Sequence, residues 1–172
     1  MSSTSDELRI GHGYDLHRLE PSPPAGEGKP FVLAGVHFEH DLGPVGHSDG
    51  DAALHAVTDA LLGAIGAPDI GQLFPDTDPD HQNKDSMAFL KAASEVVAKA
   101  GMRVVNLDVT VVCERPRLSD RKDEMIANIA QGIGIDSARV NLKGKTHEKV
   151  DAVGEGRAVE VHTVVLLAPI HD

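Results

Sequence analysis

Val105, Leu107, Val109 and Val111 occupy every second position of one segment, with Asn106, Asp108 and Thr110 between them and Val112 closing the run. Successive side chains point to opposite faces only in an extended backbone, so this is a strand with one apolar face. Segments of helical period stand on both sides of it. Leu54, Val57, Leu61 and Ile65 follow the cap candidates Ser48 and Asp49 and predict a helix over about 50–66. Met87, Leu90, Ala93 and Val97 predict a second over about 86–100, stopped by Gly101. Met125, Ile126 and Ile129 predict a third over about 119–132. Further strands are expected from Leu8 to Gly13, leading into Tyr14–His17, and near 138–145 and 157–168. A hairpin split by Gly35 is expected from Phe31 to Phe38. Glu20–Pro30 and the Asp- and Pro-dense stretch 67–84 read as loops, and loops as long as the second are often functional. The count is about five strands and three helices in one α+β domain over 8–170, with 1–7 a short disordered tail.

Composition narrows the function. The chain has 172 residues, 16 Lys and Arg against 27 Asp and Glu, and a net charge of −11. Such a surface repels nucleic acid, and 3% aromatic residues leave little for bases to stack on. No run of 18 apolar residues suggests a membrane span. The N-terminus lacks the basic and apolar regions of a secretory signal, so the expected location is cytoplasmic. A single cysteine, Cys113, forms no internal disulfide. Ten histidines beside 27 acids supply metal ligands.

Several groups carry candidate chemistry, each with a plainer alternative. Gly11-His12-Gly13 opens like a dinucleotide fingerprint, but the third glycine and the following helix are missing. Asp15 and His17, two apart on a strand, point to the same side and offer one oxygen and one nitrogen to zinc or another first-row metal. His55 on the first helix is a third candidate, with Asp51 or Asp59 placed to accept its other N–H. Spacing alone leaves these open between a metal site and ordinary polar or core residues. Phe74 to Asp80 reads as a hydroxyl-binding loop or a solvated turn. Lys143 and Lys145, with Thr146 and Glu148, suit a phosphate and its metal, or a guarded sheet edge. Arg115 and Arg117 about Pro116 are a phosphate clamp or exposed turn charges. Cys113, beside acids at a strand end, is a poor thiolate.

Taken together, Arg9-Ile-Gly-His-Gly-Tyr-Asp-Leu-His17, His47-Ser-Asp-Gly-Asp-Ala-Ala-Leu-His55, Asp69-Ile-Gly71 and Leu73-Phe-Pro-Asp-Thr-Asp78 resemble the 2-C-methyl-D-erythritol 2,4-cyclodiphosphate synthase family of the non-mevalonate isoprenoid pathway. The resemblance runs from about Arg9 to Leu167. It implies a mixed sheet of four to five strands with about three helices on one face, in homotrimers whose sheets face the threefold axis. It implies an intramolecular phosphoryl transfer. The 2-phosphate of 4-diphosphocytidyl-2-C-methyl-D-erythritol 2-phosphate attacks the β-phosphorus, CMP leaves, and a cyclic diphosphate forms. By the same resemblance Asp15, His17 and His55 hold Zn²⁺, and Glu148 holds Mg²⁺ or Mn²⁺. His47 and Ser48 contact the 2-phosphate end. Asp69, Gly71 and the loop of Phe74, Pro75, Asp76, Thr77 and Asp78 hold the methylerythritol. Cys113, Arg115, Pro116, Arg117 and Leu118 grip the cytidine and its phosphates, and Thr146 orients the α-phosphate. The active sites fall between subunits.

After Thr146 the chain departs from the common family pattern. Lys145 replaces a threonine, Ala152 stands at a phenylalanine position, and Arg and Glu are exchanged as Glu155 and Arg157. These last three line a central cavity in the family, so isoprenoid-diphosphate binding there is expected to be poor. Two rival readings are a zinc-dependent phosphohydrolase and an inactive isoprenoid-binding trimer. A linear product would mark the first. The intact Asp15, His17, His55, Thr146 and Glu148 argue against the second. The length, too short for a fused cytidylyltransferase, suggests a monofunctional enzyme.

Overall fold

Two glycines set the seam on which the architecture is built. In the computed structural model, which describes residues 7–46, 48–74 and 85–171, a Cβ added to Gly13 would lie 1.8 Å from the carbonyl oxygen of Ala56, and one added to Gly11 would lie 1.9 Å from that of Ala60. Only hydrogen at these positions lets the first strand lie directly on the backbone of the first helix. The Gly-His-Gly sequence therefore serves packing rather than a dinucleotide.

Among the described residues, the strands β1 (Arg9–Pro21), β4 (Leu42–Pro44), β5 (Met102–Val112), β6 (Val140–Lys145) and β7 (Ala158–Pro169) form one sheet in the order β4-β1-β7-β5-β6. The pairing of β5 with β6 is parallel and the others are antiparallel, so the sheet is mixed. The strands β2 (Phe31–Leu33) and β3 (Val36–Phe38) form the separate hairpin, turning at Ala34 and Gly35. Three longer helices, α1 (Ala52–Ala64), α3 (Ser86–Lys99) and α4 (Lys122–Ile133), cover one face. Two single-turn helices, α2 (Ile70–Leu73) and α5 (Asp151–Gly154), are also found among the described residues. The last of these packs Val153 against Val112 and Ala158 on the other face. The α+β class and the three helices agree with the sequence reading.

The differences have local causes. The first strand runs to Pro21, well past Gly13 and into the expected loop. Ladder pairing with β7 from Arg9↔Leu167 to Arg18↔Ala158, then with β4 from Leu19↔Pro44 to Pro21↔Leu42, holds it extended through turn-forming residues. The third helix begins as a 3-10 turn at Ser119–Arg121 and becomes α-helical at Lys122. Residues 1–6 of the expected 1–7 tail and most of the 67–84 loop lie outside the described residues.

The helix α1 is apolar on nearly all sides because it is central: Leu54, Val57, Leu61 and Leu62 have no exposure. Its start is tied to the hairpin by Asp51, which is fully buried. The Asp51 carboxylate accepts N–H bonds from Ala53 (3.1 Å) and Leu54 (3.0 Å) as helix cap, and from Ala34 (2.8 Å) and Gly35 (2.7 Å) in the hairpin turn. Away from α5 the opposite face of the sheet is bare: Ile10, Tyr14, Leu16 and Val164 are 72%, 47%, 45% and 47% exposed. Among the described residues no helix is long and apolar enough to cross a membrane.

Candidate functional site

The alternation of β1 that turns Gly11 and Gly13 toward α1 turns Asp15 and His17 the same way. His55 comes to meet them from the first turn of α1, placed by the Asp51 cap. One ligand atom from each of the three lies within 4.8 Å of the others. Asp15 Oδ2 is 3.0 Å from His17 Nε2 and 3.0 Å from His55 Nδ1, and the two nitrogens are 3.3 Å apart. Ligands about 2.0–2.1 Å from a tetrahedral zinc lie about 3.3 Å from one another, so this set of one oxygen and two nitrogens fits the ion.

Each histidine is oriented from behind. His17 Nδ1 lies 3.3 Å from the Val45 carbonyl, which can only accept, so the ring presents Nε2 to the group. His55 Nε2 lies 2.8 Å from Ser86 Oγ and 3.2 Å from Ser48 Oγ. The expectation that Asp51 or Asp59 holds His55 is therefore corrected. Asp51 turns back onto the helix start, and Asp59 accepts the N–H of Ile70 at 2.8 Å. Backbone donors at two helix starts claim both carboxylates. Burial opposes the Asp15 anion, but hydrogen bonds and charge from the two imidazoles, where their facing nitrogens carry a proton, outweigh it and hold its carboxyl well below the usual range. Burial likewise opposes the His55 cation, while Asp15 draws its pKa upward.

Around this group, Ser48 lies in hydrogen-bond reach of His55 as stated, and its carbonyl accepts from the Lys29 ammonium. The Phe74 ring lies tilted against Phe89, with centroids 4.7 Å apart, and Phe89 in turn lies 6.4 Å from His55. Asp69 caps α2, accepting the Gln72 N–H at 2.9 Å and its side-chain amide at 2.6 Å. Gly71 lies within that single turn. His47, Pro75, Asp76, Thr77 and Asp78 are outside the described residues.

The remaining candidates gather at a second place. Cys113, Pro116, Arg117, Leu118, Lys145 and Thr146 line a cleft of about 340 Å³ where β5 and β6 end. The Cys113 N–H donates to the Lys145 carbonyl at 3.0 Å, which joins the two walls. Arg115 and Arg117 are exposed on either side of Pro116. Burial, then Glu114, pushes the Cys113 thiol up to about 11, so it is no nucleophile. Lys143 is committed elsewhere, to Asp108 at 2.5 Å on the bare face, whereas Lys145 lines the cleft together with Lys122. Thr146 donates to Glu148 Oε1 at 2.9 Å. Glu148 and Thr146 are exposed, and Glu148 is not part of the Asp15 group. One rung of the sheet runs Asp15–Val161–Val111–Gly144, so group and cleft are three strand spacings apart, about 14 Å.

Sequence reasoning missed Ser86, Asp49 and Phe89 as neighbours of His55. Asp85-Ser86 carries only the signal of a helix start, which it also is: Asp85 caps α3. Nothing in the spacing ties it to a histidine 31 residues earlier.

The model of the YgbB family matches residues 8–168. A relative named 2-C-methyl-D-erythritol 2,4-cyclodiphosphate synthase, chloroplastic, from Catharanthus roseus is 50% identical over 160 residues, 93% of this chain. The chain spans 65% of that plant protein's length. The synthase of Chromobacterium violaceum is 49% identical over 161 residues, 94% of this chain and 98% of its own. Among solved structures, IspF of Plasmodium falciparum in complex with CDP superposes with a TM-score of 0.83 at 35% identity, over 96% of this chain and 99% of that one.

Proposed function

The chain belongs to the YgbB family, and from that membership and the convergence of Asp15, His17 and His55 we propose that it is a 2-C-methyl-D-erythritol 2,4-cyclodiphosphate synthase, a lyase of isoprenoid biosynthesis. Its substrate is 4-diphosphocytidyl-2-C-methyl-D-erythritol 2-phosphate, and its products are the 2,4-cyclodiphosphate and CMP. The observation that carries the reading is the three-ligand group, whose donors fit zinc and leave one tetrahedral position for substrate. A zinc held there would supply local positive charge to the phosphates, against the repulsion a protein of net charge −11 presents to a polyanion.

The chain's own residues do the positioning. His47 and Ser48 hold the 2-phosphate end close to the β-phosphorus, so that attack is intramolecular and in line. Asp69, Gly71, Phe74 and the Pro75–Asp78 loop hold the methylerythritol. The walls of the 340 Å³ cleft take the cytidine diphosphate, with Arg115, Arg117 and Lys145 facing its phosphates and Thr146 donating to the α-phosphate. Glu148 would carry the second divalent ion, Mg²⁺ or Mn²⁺. The CDP bound by the Plasmodium relative supports a cytidine diphosphate as part of the ligand. Residues 8–170 act as one domain, and a reducing cytoplasm suits the buried thiol of Cys113.

The working unit is a homotrimer. About 14 Å of sheet separates the Asp15 group from the cleft of the same chain, more than a diphosphate spans. The group of one chain is therefore paired with the cleft of its neighbour. The exposed Ile10, Tyr14, Leu16 and Val164 give the bare face an apolar patch of the kind that association covers. Complementation tests this arrangement. His55→Ala and Thr146→Ala variants are each expected to be inactive alone. Mixed and allowed to exchange subunits, they should regain a measurable share of CMP release, because some interfaces then pair two intact halves. No recovery from fully exchanged mixed trimers would contradict the shared site.

A further inference from the structure

We infer that Asp49 and Ser86 are positioning residues, a carboxylate–hydroxyl chain that fixes His55 as its Nε2–H tautomer and so aims Nδ1 at the metal group. The inference rests on the reading of Asp15, His17 and His55 as a metal centre. A count of protons carries it. A carboxylate only accepts hydrogen bonds. Asp49 Oδ2 accepts the Ser86 N–H at 3.0 Å, and its Oδ1 accepts the Asp51 N–H at 3.1 Å together with the Ser86 hydroxyl. The one hydroxyl proton of Ser86 is thereby spent. Its oxygen, 2.8 Å from His55 Nε2, is left to accept, and the proton between them belongs to the imidazole. A neutral imidazole has a single N–H. With that proton at Nε2, the Nδ1 lone pair faces Asp15 and His17.

The chain is protected and rigid. Ser86 has no exposure, so water does not compete for its hydroxyl. Its backbone and hydroxyl grip both oxygens of Asp49, which locks the 48–51 turn against the start of α3. Ser48 Oγ, which already accepts the Gly50 N–H at 3.1 Å, is a more distant second acceptor for the same imidazole proton at 3.2 Å. The arrangement is a carboxylate orienting a metal-ligating histidine, with a serine inserted between them.

Two readouts test it: which nitrogen of the neutral His55 ring carries the proton in the metal-free protein, from long-range ¹H–¹⁵N NMR, and zinc affinity, from competition with a chromophoric chelator. Wild-type protein should show His55 protonated at Nε2. Ser86→Ala should mix the tautomers and weaken zinc by about 10- to 100-fold. Asp49→Asn should do so by a different route. Its amide donates to Ser86 Oγ, the hydroxyl turns to donate to His55, and the ring proton moves to Nδ1. Ser86→Thr, which keeps the hydroxyl, should regain most of the affinity. Wild-type His55 found as the Nδ1–H tautomer overturns the inference whether or not any variant folds. So does a folded Ser86→Ala or Asp49→Asn protein with wild-type zinc affinity. A wild-type protein that binds no zinc overturns instead the metal reading on which this one stands.

Discussion

Replacing His55 by alanine is expected to remove zinc and turnover together while leaving the fold in place. The side chain is one of three ligand donors, and two donors do not retain zinc against a chelator. Stripped of its ion, the site would lose several kcal/mol of charge stabilisation on the transferring phosphoryl group. About 4 kcal/mol corresponds to about a thousandfold in kcat. The fold should survive because α1 is held by Leu54, Val57, Leu61 and Leu62, none of which the substitution touches. Metal content by atomic absorption and CMP release by chromatography check the two losses. Circular dichroism and the oligomeric mass check the fold. A folded His55→Ala protein with undiminished turnover would remove the metal assignment.

The largest effect on stability is expected at Asp51. Its carboxylate caps α1 and at the same time holds the Ala34–Gly35 turn, so one side chain satisfies four N–H groups. Alanine would remove the cap, worth about 1 kcal/mol, and leave buried donors unsatisfied at about 1–3 kcal/mol each. Burial of the Asp51 carboxyl works against its charge and raises its pKa, which offsets part of that loss. A net cost of about 4 kcal/mol lowers Tm by about 8–16 °C in a domain of this size. Asparagine should not rescue it, because the amide turns an N–H toward N–H donors. Thermal denaturation followed by circular dichroism gives the answer, and a shift of only a degree or two would show that the four bonds contribute little.

Asp51 also illustrates what the sequence made legible. His47-Ser-Asp-Gly-Asp is plainly a helix start, and the predicted helix lies within about two residues of α1. The position of Asp51 four residues before His55 suggested a hydrogen bond to the imidazole. Local helix geometry permits that bond, but four backbone donors compete for the carboxylate, and two of them belong to a hairpin that no local rule brings near. The actual support of His55, Ser86, arrives from another helix start. Asp15 and His17 were legible because a strand of period two places them side by side, and His55 because a family resemblance joined it to them. Spacing alone did not. The length of β1 was hidden for a similar reason: Glu20 and Pro21 read as loop, and pairing with β4 keeps them in the sheet. The division between the metal group and the cleft at Cys113–Thr146 depends on the strand order β1-β7-β5-β6, which no stretch of sequence states.

The central claim, an intramolecular cyclisation dependent on metal at Asp15, His17 and His55, is tested most directly by a ³¹P NMR time course. The protein is incubated with 4-diphosphocytidyl-2-C-methyl-D-erythritol 2-phosphate and Mg²⁺, beside an EDTA-treated control. The account predicts that the substrate resonances give way to the paired phosphorus signals of a cyclic diphosphate and to CMP, and that EDTA stops both. CMP accompanied by a linear phosphate would mean that water, not the 2-phosphate, attacks, and an unchanged substrate with zinc-loaded protein would contradict the account altogether.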